Sequence, residues 1–194
     1  MEYNKQYLSR QLNRNLPRRI IRKIYLLNTR KFIKGPTIDF GCGPGDLLKL
    51  LPPGSIGYDV NPYAIEKCKK ALLDAKTYYP EIDKYMLLNT KTGKYTTFLA
   101  SHILEHLKNP VDVLNILFKT CYKKQIKRLV LIVPGKKGFA LDRSHKAYVD
   151  KKTINSANSY GYTLTHQKYF PINSAFISKI FPYNELISVY DKKS

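Results

Sequence analysis

The chain has 194 residues, of which 43% are hydrophobic and 25% charged, a composition typical of a folded globular protein rather than a disordered one. Its longest uninterrupted apolar run, Leu129–Val133, is far shorter than the roughly 20 residues of a membrane-spanning helix, so we expect no membrane span. The net charge of +20 comes from 34 Lys and Arg against 14 Asp and Glu and indicates attraction to anions, although charge alone identifies no partner.

The cysteines and the first residues bear on location. Cys42, Cys68 and Cys121 have neither a CxxC nor a zinc-type spacing, which predicts reduced thiols. The chain begins with the polar residues MEYNKQ and lacks the apolar stretch of a signal peptide. We therefore expect a cytoplasmic protein.

The first predicted element is a basic N-terminal helix. Pro17 fits its first turn, and an apolar stripe at helical spacing lies opposite a basic face. The stripe consists of Ile20, Ile21, Ile24 and Leu27, and the basic face of Arg18, Arg19, Arg22 and Lys23. We expect residues 1–34 to form a basic helical cap and residues 35–194 a separate domain. Two interpretations of this helix stay open here: a packed helix with a solvated basic face, or a cap over a ligand cleft or a surface for an anionic partner.

From residue 36 onward, short strands alternate with helices. The predicted strands are 37–40, 55–60, 85–88, 95–100, 129–133, 162–169 and 186–190. The predicted helices are 62–76, 111–122 and 149–159, with a further helix beginning over 46–51 and Asn61 as an N-cap. This alternation predicts an α/β fold with a mostly parallel sheet, helices on both faces and an antiparallel pair of closing strands.

A glycine-rich loop follows the first predicted strand and precedes a helix. Its spacing is G-x-G-x-G over Gly41–Gly45, whereas the dinucleotide fingerprint requires G-x-G-x-x-G, and a Walker lysine is absent. Asp39 leads the loop, and Asp59 ends the next strand twenty residues later, where a carboxylate can accept hydrogen bonds from a ribose diol. The loop therefore suits a ligand with a cationic or zwitterionic end and no pyrophosphate.

These segments resemble a known family. DFGCGPGDLL and GYDVNP, followed by ASHILEHLKNP, LVLIVPG and LDRSHKAYVDKKTI, are similar to class I S-adenosylmethionine-dependent methyltransferases of the broad ubiquinone-biosynthesis and sugar-modifying group. The resemblance covers about residues 36–190. It implies a Rossmann-like fold with a seven-stranded type of sheet, N-terminal capping helices and S-adenosylmethionine as cofactor.

The resemblance also implies the cofactor-binding residues, which are Asp39, Gly41, Gly43, Gly45, Asp59, Val60, Asn89, Ser101 and His102. The glycines would pass beneath the methionine and ribose portions, with Asp39 organising the loop and the amino end of the ligand. Asp59 would hold the ribose hydroxyls, and Val60 would pack against adenine. Ser101 and His102 would line the methionine side. Asn89 stands where relatives often carry an acid that meets the adenine amino group.

Three histidines occur where chemistry is plausible. His102, Glu105 and His106 have the spacing of one helix face, and Asp142 and His145 follow the fifth strand on the same side of the sheet. One interpretation is structural bracing. A second is that His106 or His145 acts as a general base, since an imidazole suits that task at neutral pH.

A third interpretation is a divalent metal bound by His102, Glu105, His106 and His145. This set resembles the E-x-x-E-H plus distant His of small-RNA 3′-terminal 2′-O-methyltransferases, with His102 in place of the first glutamate. We predict His106 and His145 as catalytic residues and no metal ligand.

The predicted function is transfer of a methyl group to an oxygen, in preference to a nitrogen, of a small molecule such as a sugar or phenol. Lys136, Lys137, Arg143 and Lys146 follow the fifth strand on the active-site side, which fits an anionic acceptor. The alternatives are an RNA methyltransferase with metal assistance and a basic scaffold that retains a cofactor pocket. A monomer and a homodimer are both compatible with the sequence.

Overall fold

The computed structural model describes residues 16–193, without the side chains of Pro17 and Arg18. Seven strands form one sheet in the order β3-β2-β1-β4-β5-β7-β6. The strands are β1 Thr37–Phe40, β2 Ile56–Asp59, β3 Ala75–Thr77, β4 Thr97–Ser101, β5 Arg128–Pro134, β6 Tyr162–Phe170 and β7 Glu185–Lys192. The first five are parallel, and β7 runs antiparallel to both β5 and β6, so the predicted α/β fold class and the antiparallel closing pair are confirmed.

Helices and short turns connect these strands. The helices are α1 Leu16–Arg30, α2 Pro62–Lys70, α3 Pro80–Asp83, α4 Pro110–Lys123, α5 Lys136–Leu141 and α6 Lys151–Asn155. Single 3-10 turns occur at Leu48–Leu50, Leu104–His106 and Ile177–Lys179. Asn61 caps α2 as predicted, because its side chain accepts a hydrogen bond from the amide of Tyr63 at 3.1 Å.

Strand β5 lies inside the sheet, and after its first residue, Arg128, it is apolar and buried on both faces. Leu129 and Leu131 pack in one apolar cluster with Phe118 of α4, whereas Val130 and Ile132 pack in a second cluster on the opposite face. Successive side chains of a strand point to opposite faces, so a strand covered on both faces must be apolar at every position.

The predicted third strand, residues 85–88, is wrong. The carboxylate of Asp83 accepts hydrogen bonds from the amides of Leu87 and Leu88, both at 2.8 Å, and this holds the segment as a turn. The third strand is instead Ala75–Thr77, whose first two residues belong to the end of the helix predicted over 62–76. That helix stops at Lys70 and the chain then pairs with β2.

Two other predicted helices are shorter in the structure. The segment 46–51 forms only the 3-10 turn Leu48–Leu50, because Leu51 precedes a proline and adopts extended backbone with ψ of 156°. The helix predicted over 149–159 is limited to Lys151–Asn155.

The predicted apolar stripe of α1 does not face the domain. Ile20, Ile24 and Leu27 are 54%, 50% and 43% exposed, whereas Leu26 packs against the sheet. Arg22 also turns toward the domain and forms an ion pair with Asp46 at 3.0 Å. When a helix has apolar residues on more than one stripe, its sequence does not determine which face packs inward. In α1, contacts with the rest of the domain determine that face.

The division of the chain at residue 34 stays a prediction, and the first fifteen residues of the expected cap lie outside the described residues. Within residues 16–193, none of the helices has both the length and the apolar character needed to cross a bilayer.

Candidate functional site

A cavity of about 550 Å³ lies at the carboxyl ends of β1, β2 and β4, where ligands bind in open α/β sheets. Its volume falls within the range of about 300–1,000 Å³ that is typical of small-molecule sites. The glycine loop contributes one wall, and the loop after β4 contributes another. Arg22 and Leu26 of α1 also line the cavity.

The glycine loop is held by backbone and carboxylate contacts with the end of β2. The amide of Gly41 donates to the carbonyl of Tyr58 at 2.7 Å, and the amide of Gly43 donates to Asp59 Oδ2 at 2.7 Å. Gly41 has φ of 83°, and a Cβ at this position would collide with the side chain of Ile103. A larger residue at position 41 would strain this backbone conformation and would require the Ile103 side chain or the loop to move.

Two carboxylates on neighbouring strands face the cavity. Asp59 accepts from the amides of Gly43 and Asn61 through its two oxygens, and each oxygen keeps a lone pair for a further bond. Asp39 is buried, and its Oδ2 has no hydrogen-bond partner among the described residues. Burial, and then the charge of Asp59, raise the pKa of Asp39 to about 7, against an opposing effect of Arg22. An unpaired buried carboxylate of this kind fits a cationic ligand group.

Most of the predicted site residues line this one cavity. They are Asp39, Gly41, Gly43, Asp59, Val60, Ser101, His102, His106 and His145. Gly45 lies outside the cavity lining and packs beneath the loop, where a Cβ would lie 2.6 Å from Leu73 Cδ1.

The structure does not bring Asn89 to the cavity. Asn89 is exposed and lines a separate, smaller pocket, because the strand that we expected to precede it does not form. Residues that follow the true third strand, Tyr78 and Pro80, line the main cavity beside Tyr85 instead. No apolar run precedes Tyr78, and most of the strand before it falls within the helix predicted over 62–76.

His102 adopts a left-handed backbone with φ of 57°, so the expectation that His102, Glu105 and His106 share one helix face is wrong. The sharp turn after β4 directs the imidazole between two buried glutamates, 3.3 Å from Glu105 Oε1 and 3.1 Å from Glu185 Oε2. Partial desolvation acts to lower the pKa of His102, but the two carboxylates outweigh it and raise the pKa to about 10. His102 therefore carries a positive charge at neutral pH. Glu185 reaches the site from β7 and is not among the site residues predicted from the sequence.

His106 and His145 meet although 39 positions separate them. The carbonyl of Glu105 accepts hydrogen bonds from the amides of Lys146, at 2.7 Å, and Ala147, at 3.2 Å, and so fixes the loop after α5 against the turn after β4. The two imidazole rings consequently lie 4.8 Å apart, edge to face. The ring of Phe139 stacks on His145 from the other side at 5.3 Å.

The hydrogen bonds of these histidines define which nitrogen is free. His145 Nδ1 lies 2.9 Å from the carbonyl oxygen of Phe139, which can only accept, so Nδ1 carries the proton and Nε2 keeps its lone pair in the neutral ring. His106 Nδ1 lies 3.4 Å from the carbonyl oxygen of Ser144, with the same consequence for its Nε2. Burial, more than the charge of His145, lowers the pKa of His106, so His106 is neutral at pH 7.

Glu105 is fully buried beside both histidines. Neither of its carboxylate oxygens makes a hydrogen bond of normal geometry with the described residues. Ligand atoms of Glu105, His106 and His145 lie within 4.8 Å of one another, a set that suits zinc, manganese or iron. The cluster is thus chemically able either to move a proton or to hold a divalent cation.

Comparisons with known proteins agree with this fold. A family model described as a methyltransferase domain matches residues 11–193. The structure is similar to an S-adenosylmethionine-dependent methyltransferase from Archaeoglobus fulgidus, with a TM-score of 0.69 and 19% identity over 97% of this chain and 100% of that chain. A search among curated proteins finds no match.

Two further solved structures are methyltransferases named for different substrates. Magnesium protoporphyrin IX methyltransferase from Synechocystis PCC 6803, solved with bound SAH, has a TM-score of 0.59 and 14% identity over 90% of this chain and 83% of that chain. A small RNA methyltransferase has a TM-score of 0.64 and 17% identity over 89% of this chain, which spans only 25% of that chain.

At such low identities these likenesses show a shared fold, whereas the family match extends over nearly the whole described chain. The unpaired Asp39 oxygen at the glycine loop fits the positively charged end of S-adenosylmethionine. The chain belongs to the class I methyltransferases, enzymes that use S-adenosylmethionine as methyl donor.

Proposed function

We propose that this enzyme transfers a methyl group to an oxygen of a small, anionic molecule such as a sugar or phenol. The observation that carries the proposal is the His106–His145 pair on the cavity wall, in which burial lowers the pKa of His106 and so favours an unprotonated nitrogen on that ring. An oxygen nucleophile must lose a proton during transfer, whereas a thiolate or an amine places less demand on a base.

The cofactor roles are part of the same proposal. S-adenosylmethionine supplies an electrophilic methyl group when bound. Asp39 would attract its cationic end through the unpaired oxygen, and Asp59 would accept the ribose hydroxyls with its remaining lone pairs. Val60 would pack on adenine, next to Tyr78 and Tyr85 on the same wall. Ser101 would contribute to the methionine side of the cavity.

The base is assigned to His106, with His145 beside it. His106 Nε2 would take the acceptor proton, because Nδ1 is engaged by Ser144. The neighbouring Glu105 carboxylate would stabilise the imidazolium that forms, since a buried negative charge favours the protonated ring. His102, bound between Glu105 and Glu185, would act as a fixed positive charge rather than as a base.

The charge around the cavity supports an anionic acceptor. Lys146 lines the cavity, and Lys136, Lys137 and Arg143 are exposed on the same α5 segment and the loop that follows it. Arg22 and Leu26 line the cavity from α1, which supports the predicted role of this helix as a cap. Cations at the mouth of a cleft raise the local concentration of an anionic substrate.

The test is transfer of labelled methyl from S-adenosylmethionine into a host extract that is afterwards separated into small-molecule, RNA and protein fractions. We expect label in the small-molecule fraction, lost on treatment that cleaves methyl ethers or esters. Label confined to RNA or protein would overturn the proposed acceptor class. A cofactor-binding protein that labels no fraction would favour the scaffold alternative.

A second candidate, metal-assisted methylation of RNA, is favoured by one observation. Among the described residues, the buried carboxylate of Glu105 makes no hydrogen bond of normal geometry, and beyond its ion pair with His102 it lies next to His106 and His145, as expected for residues that hold a cation. Glu105, His106 and His145 would hold the ion, which would acidify an acceptor hydroxyl. Elemental analysis of protein purified without a histidine tag tests this candidate, and activity that is insensitive to chelators would reject it.

A further inference from the structure

The rim of the cavity exposes an unusual number of large apolar side chains. Gly138 of α5 and Pro182 of the β6–β7 connection line the cavity itself. On the outer surface of the same two segments lie four exposed apolar residues and four exposed cations, together called the rim patch here. These are Leu141, Ile172, Phe176 and Ile180 with Lys136, Lys137, Arg143 and Lys179.

Close backbone contacts unite the two segments into one surface. The amide of Gly135 donates to the carbonyl of Asn184 at 2.7 Å. A Cβ on Gly138 would lie only 2.6 Å from the carbonyl oxygen of Pro182, so α5 can approach the connection this closely only with glycine. The Tyr25 hydroxyl donates to the carbonyl of Tyr183 and ties α1 to the same rim.

The exposure of the apolar residues is high. Phe176 is 66% exposed, Leu141 64% and Ile180 58%. A single exposed aliphatic residue is ordinary, but several on adjoining segments mark an interaction surface.

The charges of these segments define the chemistry of the partner. Residues 135–147 and 171–184 contain five Lys and Arg against one acid, Asp142. A surface that mixes aliphatic side chains with cations matches an anionic bilayer, because the former enter the acyl boundary while the latter meet the headgroups. RNA would use the cations and could stack a base on Phe176 or Arg143, but the other three apolar residues of the rim patch, Leu141, Ile172 and Ile180, are aliphatic and offer no stacking surface.

We infer that the rim patch docks this protein onto an anionic phospholipid surface, with the mouth of the cavity next to the bilayer. The inference stands on the apolar and basic residues of the rim and does not depend on which atom accepts the methyl group. It implies that an acceptor held at a membrane surface can reach the cavity without passing through bulk water.

Co-sedimentation with vesicles tests the inference, because it measures binding without methyl transfer. We expect binding to vesicles of phosphatidylcholine with phosphatidylglycerol, weakened by added salt, and little binding to phosphatidylcholine alone. The double variant Phe176→Ser/Ile180→Ser should lower the partition coefficient about tenfold or more, because two side chains no longer enter the acyl boundary. The double variant Lys136→Gln/Lys137→Gln should lower it about fivefold or more.

Matched controls lie elsewhere on the molecule. Leu72 is 96% exposed just after α2, and Lys119 and Lys123 are exposed on α4, away from the cavity. Leu72→Ser and Lys119→Gln/Lys123→Gln should retain vesicle binding. Unchanged thermal unfolding and cofactor affinity in the rim variants would establish that they are folded.

Three results would overturn the inference. The first is equal binding to both kinds of vesicle or to neither, and the second is equal loss in the rim and control variants. The third is binding to single-stranded RNA that exceeds vesicle binding and is unaffected by Phe176→Ser/Ile180→Ser, which would assign the basic rim to nucleic acid.

Discussion

The carboxylate of Asp59, at the end of β2, accepts a hydrogen bond from the amide of Gly43 at 2.7 Å. The acid thereby holds the glycine loop in place at the site where it is expected to meet the ribose. Because the same side chain holds the loop and is proposed to bind the ligand, a variant that removes the whole carboxylate would be expected to change both at once.

Asp59→Asn separates these two roles better than Asp59→Ala, because it keeps one acceptor oxygen. We expect S-adenosylmethionine to bind about tenfold to a hundredfold more weakly, the loss of roughly 1.5–3 kcal/mol from hydrogen bonds to a charged acceptor. Calorimetric titration measures this affinity. Asp74→Asn is the control, because Asp74 is an exposed acid that directly precedes β3. Unchanged affinity would reject the ribose assignment.

The raised pKa of Asp39 makes a prediction about stability and pH. Between the ordinary value of 3.8 and about 7, the folded protein retains a proton that the unfolded chain has lost. The contribution of Asp39 to stability is therefore fully present below pH 4 and is lost as the pH rises through 7. Asp39→Asn should remove this decline, which amounts to a few kcal/mol at about 1.4 kcal/mol per pKa unit.

Thermal unfolding of the wild type and of Asp39→Asn across pH 4–8 measures the difference in stability between the two proteins. Contributions from the titration of other groups cancel in this difference. Parallel curves would contradict the prediction. Because the ionised form of Asp39 suits a cationic ligand, cofactor affinity of the wild type should also rise as the pH increases through about 7.

The proposed base makes a kinetic prediction. His106→Ala should reduce kcat about 10²- to 10⁴-fold without a matching change in cofactor affinity, since it removes proton transfer but no binding group. Because the pKa of His106 is lowered, the acidic limb of the wild-type profile should lie below pH 6.5. His166→Ala is the control, as His166 lies on β6 against Phe32 and outside the cavity. Full activity in His106→Ala would shift the assignment to His145 or exclude a base.

The ion pair between Arg128 and Asp191 joins the first residue of β5 to β7 through two hydrogen bonds of 2.7 and 2.8 Å. The hydrogen bond from Arg128 is the main cause that lowers the pKa of Asp191. The ion pair therefore stabilises the fold at pH values above the ordinary pKa of 3.8, and this stabilisation is lost as the pH falls through the lowered pKa. Arg128→Gln should cost about 1–3 kcal/mol of unfolding free energy. Urea unfolding at neutral pH measures it against exposed Lys127→Gln, which should change stability by less than about 0.5 kcal/mol.

The edge of the sheet shows where sequence reasoning failed. The segment 85–88 contains tyrosine, methionine and two leucines, a composition that predicts a strand. In the structure the Asp83 carboxylate accepts hydrogen bonds from the amides of Leu87 and Leu88 and holds the segment as a turn. The mistake displaced the predicted adenine-side contact to Asn89, outside the cavity. Strand 75–77 has only three residues and is stabilised by pairing with β2, a contact that no local pattern records.

Local chemistry was sufficient for the class of fold and cofactor. The glycine loop, the acid at the end of the next strand and the apolar run Leu129–Val133 of β5 each follow from short-range rules about backbone freedom, hydrogen bonding and burial. Contacts between distant segments required the folded chain: His106 beside His145, Glu185 against His102, and the inward face of α1. Each depends on hydrogen bonds or ion pairs across 24 to 83 positions, whose partners are selected by the packing of the whole sheet rather than by neighbours in sequence.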